Sequence, residues 1–195
     1  MSFKNPFEKL RRHFPVSDAK WNEYTGAFQR MEVKPKKVLL KEGSVSTKVF
    51  FVEKGCLRAW FDNNGHDITL QFFIEGQVVS SIESYHKKIP SPISIEAIEH
   101  SVVWWIGKTE LDKIVEEVKD VPKLRDLLID GIFERTFNYM RLFFSATKDS
   151  PQERYLNLIK EHPEIVKRIP QHYIASYLGI TKVHLSRIKG KLAHP

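Results

Sequence analysis

The residues with the most chemistry to offer lie near the end of the chain, in "QHYIASYLGITKVHLSRIKGKL", Gln171 to Leu192. From Val166 onward the sequence carries Lys167, Arg168, Lys182, Arg187, Lys189 and Lys191 and no Asp or Glu. The whole chain has a net charge of +7, so most of the excess sits in this one segment. A basic block that coincides with a helical motif is the footprint expected for a polyanion. Ile174, Leu178, Ile180, Leu185 and Ile188 fall where two short helices would lock together, with Ala175 at their close crossing. Gly179 stands at the turn, where a left-handed residue is needed. Thr181 can cap the second helix, which then presents Lys182, His184, Ser186, Arg187 and Lys189. A helix of this width enters the DNA major groove with its N-terminal residues at base edges. Arg187 can pair bidentately with guanine, while Thr181, Tyr177, Lys189 and Lys191 suit phosphates. Ala-x-x-x-Gly between apolar residues also occurs in ordinary helical hairpins, and the charge is what favours a reader.

Three kinds of element must position this segment. Up to about residue 30, Phe3, Phe7, Leu10 and Phe14, then Trp21, Tyr24 and Phe28, recur at helical spacing. From Met31 to Ile106 the texture is short runs of β-branched and aromatic residues, and Gly43, Gly55, Gly65 and Gly76 fall ten to twelve residues apart. That rhythm predicts an all-β roll or barrel, with "DNNG" as a tight hairpin. "KKIPSPIS" breaks the rhythm and reads as a connecting or functional loop. Thr109 is the expected cap of "ELDKIVEEV". "PKLRDLLIDGIFERTFNYMRLFFSAT" then predicts one long helix with an apolar face through Leu124, Leu127, Leu128, Ile132, Phe133, Phe137, Met140 and Phe144. That face serves either a core or a dimer, and its place between a β domain and a basic tail favours the dimer. Asp149 or Ser150 caps the following helix, with Pro151 at its first position.

Composition excludes several classes. The start of the chain holds no apolar run for a signal peptide, and "SVVWWI" is too short to span a membrane. A cytoplasmic protein with no membrane partner is expected. Cys56 is the single cysteine, which excludes an intrachain disulfide and a cysteine-ligated cluster. It reads as a small buried residue at a strand end. No metal site is expected: His66, His86 and His100 lie in polar stretches without ligand spacing. A cupin-like enzyme would need converging His and Glu, and no nucleophile–base pair stands out, so no catalytic residue is assigned. A ligand-binding roll or scaffold with purely structural tail helices is the other alternative.

The stretches "LLKEGSVSTKVFFVEKGCLRAWF", "LQFFIEGQVVSSIESY", "SIEAIEHSVVWWI" and "IPQHYIASYLGITKVHLSRIK" resemble the Crp/Fnr family of bacterial transcription regulators, Bacteroidetes-type members especially. The resemblance implies an α+β architecture: a cyclic nucleotide-binding-like double-stranded β-helix (jelly roll) over 1–120, a dimerisation helix over 121–147, and a helix-turn-helix DNA-binding domain over 148–195. It also implies a homodimer on double-stranded DNA, contact with RNA polymerase and a small effector. Members that bind cAMP or cGMP carry a Gly-Glu-hydrophobic triplet and an Arg-Ser or Arg-Thr pair. Aligned from Gly76, these fall on Ser80, Ser81 and Ile82 and on Ser91 and Pro92. Carboxylate and guanidinium are both missing, and no arginine lies between Trp60 and Lys123. A phosphate left without a cation loses a charge-assisted fork. cAMP or cGMP binding is therefore expected to be absent or weak, with no cofactor implied. The pocket residues would be Phe72, Val79, Ser80, Ser81, Glu83, Ser84, Ser91 and Ser94, and they either take another effector or fill the space themselves. Most family members also follow the recognition helix with a two-strand wing, and no such wing is expected here after Leu192. DNA affinity is then expected to rest on the helix with Lys167, Arg168, Lys189 and Lys191, and to be more salt-sensitive.

Overall fold

A computed structural model describes Phe7, Arg11 and residues 14–193; Phe3 and Leu10 of the first helical pattern lie outside the described residues. Helix α1 (Asp18–Gly26) is capped by Ser17, whose hydroxyl accepts the Lys20 N–H, and buries Trp21 and Tyr24. Eight strands follow: β1 (Gln29–Val33), β2 (Val38–Leu40), β3 (Lys48–Lys54), β4 (Leu57–Asn63), β5 (His66–Phe73), β6 (Val78–Val79), β7 (Ser94–Ala97) and β8 (Ser101–Gly107). The short helix α2 (Ile82–Lys87) interrupts them.

The strands form two four-stranded antiparallel sheets, in the orders β1-β8-β3-β6 and β2-β7-β4-β5. This is the expected β-roll. Val52, Leu57, Phe73, Ile95, Ala97 and Val103 close its interior with almost no exposure. The "DNNG" hairpin joins β4 to β5: Asn63 pairs with His66, and Asn64 and Gly65 both take positive φ as a two-residue turn requires. The segment after α2 is tied down by Gly43 N–H to Ser91 O and Ser91 N–H to Ser44 O.

Helix α3 (Lys108–Val118) departs from expectation at its start. Gly107 holds the cap position, with no side-chain cap, and Thr109 lies inside the helix. Strand β8 runs straight into it, and the Lys108 N–H finds a backbone partner, the Thr47 carbonyl, 2.9 Å away. Helix α4 (Pro122–Lys148) runs 27 residues unbroken. Its first turn is anchored by Leu124, buried beside Tyr24 and Val118. Beyond that point its apolar face is open: Ile132 is 66% exposed and Phe143 67%, with Phe133, Phe137, Met140 and Phe144 also uncovered. No helix among the described residues is long and apolar enough to cross a membrane.

Four helices end the described residues: α5 (Pro151–Glu161), α6 (Pro163–Arg168), α7 (Gln171–Tyr177) and α8 (Lys182–Ala193). Ser150 forms a full capping box with Glu153 at the start of α5. These helices do not stand apart from the β-roll. Their buried residues, among them Tyr155, Leu158, Tyr173 and Leu178, form one apolar cluster with Cys56, Phe72 and Ile98 of the roll.

Candidate nucleic-acid interface

Helices α7 and α8 meet through residues that the sequence pattern selects. Ile174, Ala175, Leu178, Leu185 and Ile188 are all buried, with Leu178 fully so. Gly179 takes φ +64°, and the Ile180 N–H reaches back 3.0 Å to the Ala175 carbonyl, which ends α7 and turns the chain. Thr181 caps α8: its Oγ1 accepts the His184 N–H at 3.2 Å.

With one side of α8 buried, the other faces out. Thr181, Lys182, His184, Ser186 and Arg187 are exposed and Lys189 is half-buried, so all six lie on the accessible part of one short helix. No carboxylate pairs with Lys182, Arg187, Lys189 or Lys191 among the described residues. Beside them, the start of α5 (Ser150, Pro151, Gln152) and His184, Arg187 and Lys191 border a groove of about 390 Å³. Gln152 is not legible as a site residue in the sequence, because only the α5–α8 packing brings it there. Such a groove, with a helix N-terminus on one wall and cations on the other, suits a phosphate.

Two residues expected at phosphates have other roles. The Tyr177 ring packs on Phe72, with centroids 5.4 Å apart, and burial pushes its hydroxyl above the ordinary tyrosine range. Arg168 is claimed by carboxylates of the roll: Nη1 lies 3.0 Å from Glu75 Oε2 and Nη2 bonds Glu99. Burial works against the Glu75 carboxylate, but Arg168 and the Gly55 N–H outweigh it and hold its pKa down. Opposite charges remote in the chain are invisible to a count of local charge.

Arg58 is a site residue that the sequence pattern does not single out. It stands in β4 between Leu57 and Ala59, and the alternation of the strand sends it to the opposite face of the sheet. There α7 covers it. Its side chain is 3% exposed, with Nη2 2.5 Å from Asp67 and 3.5 Å from Glu96, and Nη1 3.1 Å from Thr69 Oγ1. The guanidinium lies 4.2 Å over the Tyr173 ring. Next to it, Ser176 Oγ donates to the Asp67 carbonyl at 2.7 Å and accepts the Thr69 N–H at 2.8 Å. The helical pair is thus hydrogen-bonded to the edge of the sheet at β5. The one sequence signal is an arginine inside the apolar run "CLRAWF".

The serines of the roll form the second constellation. Ser80, Ser81, Ser84, Ser91 and Ser94 are buried together with Ser46. Each hydroxyl has a partner inside the protein. Ser84 Oγ accepts the Ser46 N–H at 2.9 Å and donates to the Ile89 carbonyl. Ser91 Oγ lies 2.9 Å from Ser81 Oγ and 2.7 Å from the Ile93 carbonyl. Ser80 Oγ lies 3.3 Å from Ser46 Oγ, and Ser94 Oγ accepts the Glu42 N–H. Val79 sits in the interior of the roll. Glu83 is exposed and pairs with Lys87 at 2.7 Å. Phe72 is separated from the serines: it joins the cluster against the helical tail, a correction to its placement with the pocket. Neighbouring β5 positions alternate sides, and the tail supplies an apolar partner on the outer side.

A family model described as "Cyclic nucleotide-binding domain" matches residues 30–118. The match runs from β1 to the end of α3. The whole chain shares the fold of Crp/Fnr-type transcription regulators. It resembles the c-di-GMP responsive global regulator CLP of Xanthomonas campestris (14% identity, 90% of this chain and 92% of that one, TM-score 0.70). It resembles FixK2 of Bradyrhizobium japonicum (18% identity, 85% and 84%, TM-score 0.68). A protein of Eubacterium rectale assigned to the crp/fnr family of transcriptional regulators is similar again (19% identity, 91% and 86%, TM-score 0.67). A comparison with curated proteins finds no match.

Ser81 and Ser91, where the resemblance puts the carboxylate and the guanidinium of nucleotide-binding members, bond to each other. Cys56 is fully buried at the start of β4, and burial pushes its thiol up to about 12, away from reactive thiolate. His66, His86 and His100 are exposed. Among the described residues no three His, Cys, Asp or Glu cluster as metal ligands.

Proposed function

We propose that the chain is a cytoplasmic, DNA-binding transcription regulator of the Crp/Fnr type, not an enzyme. It acts as a homodimer through α4 and reads the major groove with α8. The observation that carries the reading is α8 itself: a buried apolar back, a capped N-terminus, and an exposed face whose cations have no carboxylate partners among the described residues. Unpaired cations on a preformed helix are matched by phosphates and by guanine edges. Arg187 and Lys182 read bases, with His184 and Ser186 beside them. Thr181, Lys189 and the groove at Gln152 hold phosphates.

The exposed apolar stripe of α4 supports the dimer. A monomer gains nothing by leaving Ile132, Phe133, Phe143 and Phe144 in water. Two copies would set their α8 helices about one turn of DNA apart, roughly 34 Å. RNA polymerase is a further partner in this reading where the regulator activates. The domain takes no tightly bound cAMP or cGMP, because a cyclic phosphate would meet hydroxyls already engaged with one another.

The test is selection of bound genomic fragments by the full chain, repeated with Arg187→Ala/Lys182→Ala. The intact protein enriches a sequence with two half-sites, and the double variant retains DNA without enriching it. Equal enrichment by both would sink the assignment of α8.

A further inference from the structure

A cleft of about 510 Å³ lies where the β-roll, α4, α5 and α7 meet. It is separate from the buried serines of the roll, none of which lines it. Phe72 and Ile74 of the roll, Leu142 of α4, and Leu158 and Ile165 of the helical tail give it apolar walls. Its size and lining suit one small organic molecule.

Several polar groups on these walls have bonds unmade. Arg154 of α5 is half-buried, and its Nε is buried with no hydrogen-bond partner. Neither Arg154 nor Arg141 of α4 has a carboxylate partner among the described residues, and Arg141 reaches only the side chain of Asn138. The Tyr177 hydroxyl makes no hydrogen bond among the described residues. Burial raises its pKa, Glu161 adds to the rise and Arg154 opposes it, so cation, acid and hydroxyl share one electrostatic neighbourhood. Asp149, on the same cleft, is already satisfied by Ser145 Oγ at 2.7 Å and Asn157 Nδ2 at 3.3 Å.

These groups select a ligand by charge as well as shape. A guanidinium with an unused N–H and a neighbouring phenol are matched by a carboxylate, which accepts from both. The walls require the rest of the ligand to be apolar. Glu161 follows Arg154 by seven residues on the same helix, roughly 10 Å along one face. Its charge repels a second anionic group at that end of the cleft. Dicarboxylates and polyphosphates, nucleotides included, are disfavoured for the same reason.

We infer that the cleft between the β-roll and the helical tail binds an apolar monocarboxylic acid, its carboxylate on Arg154 and Tyr177 and its body on Phe72, Leu158 and Ile165. Because the walls come from both the roll and the tail, the ligand binds the docked arrangement and holds the two together. This binding is independent of whether α8 reads DNA.

The test is calorimetric titration of the full chain with octanoate, octanamide and octanedioate. Octanoate binds, and octanamide, which keeps the chain and loses the charge, binds at least about tenfold more weakly. Arg154→Gln weakens octanoate by a similar factor and leaves octanamide unchanged. Tyr177→Phe, which keeps the ring on Phe72, weakens octanoate by less. Octanedioate binds poorly to the parent and gains affinity in Glu161→Gln, where the repelling charge is gone. Uptake by the exposed apolar stripe of α4 would instead treat octanoate and octanamide alike, and that result overturns the inference. So does an octanoate affinity that Arg154→Gln leaves unchanged, or no heat from octanoate at millimolar concentration. Circular dichroism checks that Arg154→Gln folds. If it does not, Glu161→Gln decides, and an octanedioate affinity equal to the parent's overturns the inference.

Discussion

The buried serines of the β-roll and the exposed face of α8 treat polar groups in opposite ways. Ser46, Ser80, Ser81, Ser84, Ser91 and Ser94 turn every hydroxyl toward another atom of the protein. Lys182, Arg187 and Lys189 turn their charges toward solvent, with no internal partner among the described residues. In the first region desolvation has already been compensated, so a ligand would have to break bonds to enter. In the second the cations remain hydrated and free to exchange water for phosphate. A site is recognised less by which polar residues it holds than by whether their hydrogen bonds are already made. Arg58 stands between the two regions. It is as buried as the serines, yet it completes its surroundings only with help from α7.

Four measurements break or sharpen this contrast. Arg58→Ala leaves Glu96 buried and uncompensated, and should lower stability by about 3–5 kcal/mol in urea unfolding. A loss under about 1 kcal/mol would mean that the roll and the helical tail are not coupled through this residue. Ser84→Ala orphans the buried Ser46 N–H and should lower stability by about 1–3 kcal/mol. DNA retention by the folded fraction should be unchanged, and a loss of it would link the serines to reading. Arg187→Ala/Lys182→Ala should change stability by no more than about 0.5 kcal/mol, because both side chains are exposed. The same variant should lose the discrimination between bases, about 1–3 kcal/mol for each bidentate pair. Calorimetric titration with cAMP should give no heat of binding at micromolar concentration. Micromolar affinity would show that the serine bonds open readily and would erase the contrast.

Much of this is legible in the residues. Asn64 and Gly65, Ser150 and Glu153, Gly179 and Thr181 all act through neighbours close in the chain, so their roles can be read from spacing alone. The long helix α4 follows from its unbroken period. The misplaced residues have distant partners. A count of local charge leaves Arg168 a free cation, whereas the fold brings Glu75 and Glu99 beside it. Tyr177 and Phe72 have separate roles in the sequence and one shared contact in the fold, and Thr109 yields the cap to a strand that runs on into a helix.

By itself the sequence determined the chemistry available: six cations and no carboxylate from Val166 onward, serines where the resemblance puts an acid and an arginine, and the turns that shape each element. Tertiary structure decided which of those groups remain available. It closed the serines on one another, committed Arg168 to the roll, buried Arg58 under α7, and left α8 facing outward. The physical reason is that charge and hydrogen-bonding capacity belong to a residue, whereas desolvation and pairing belong to its neighbours, and most of those neighbours are remote in the chain.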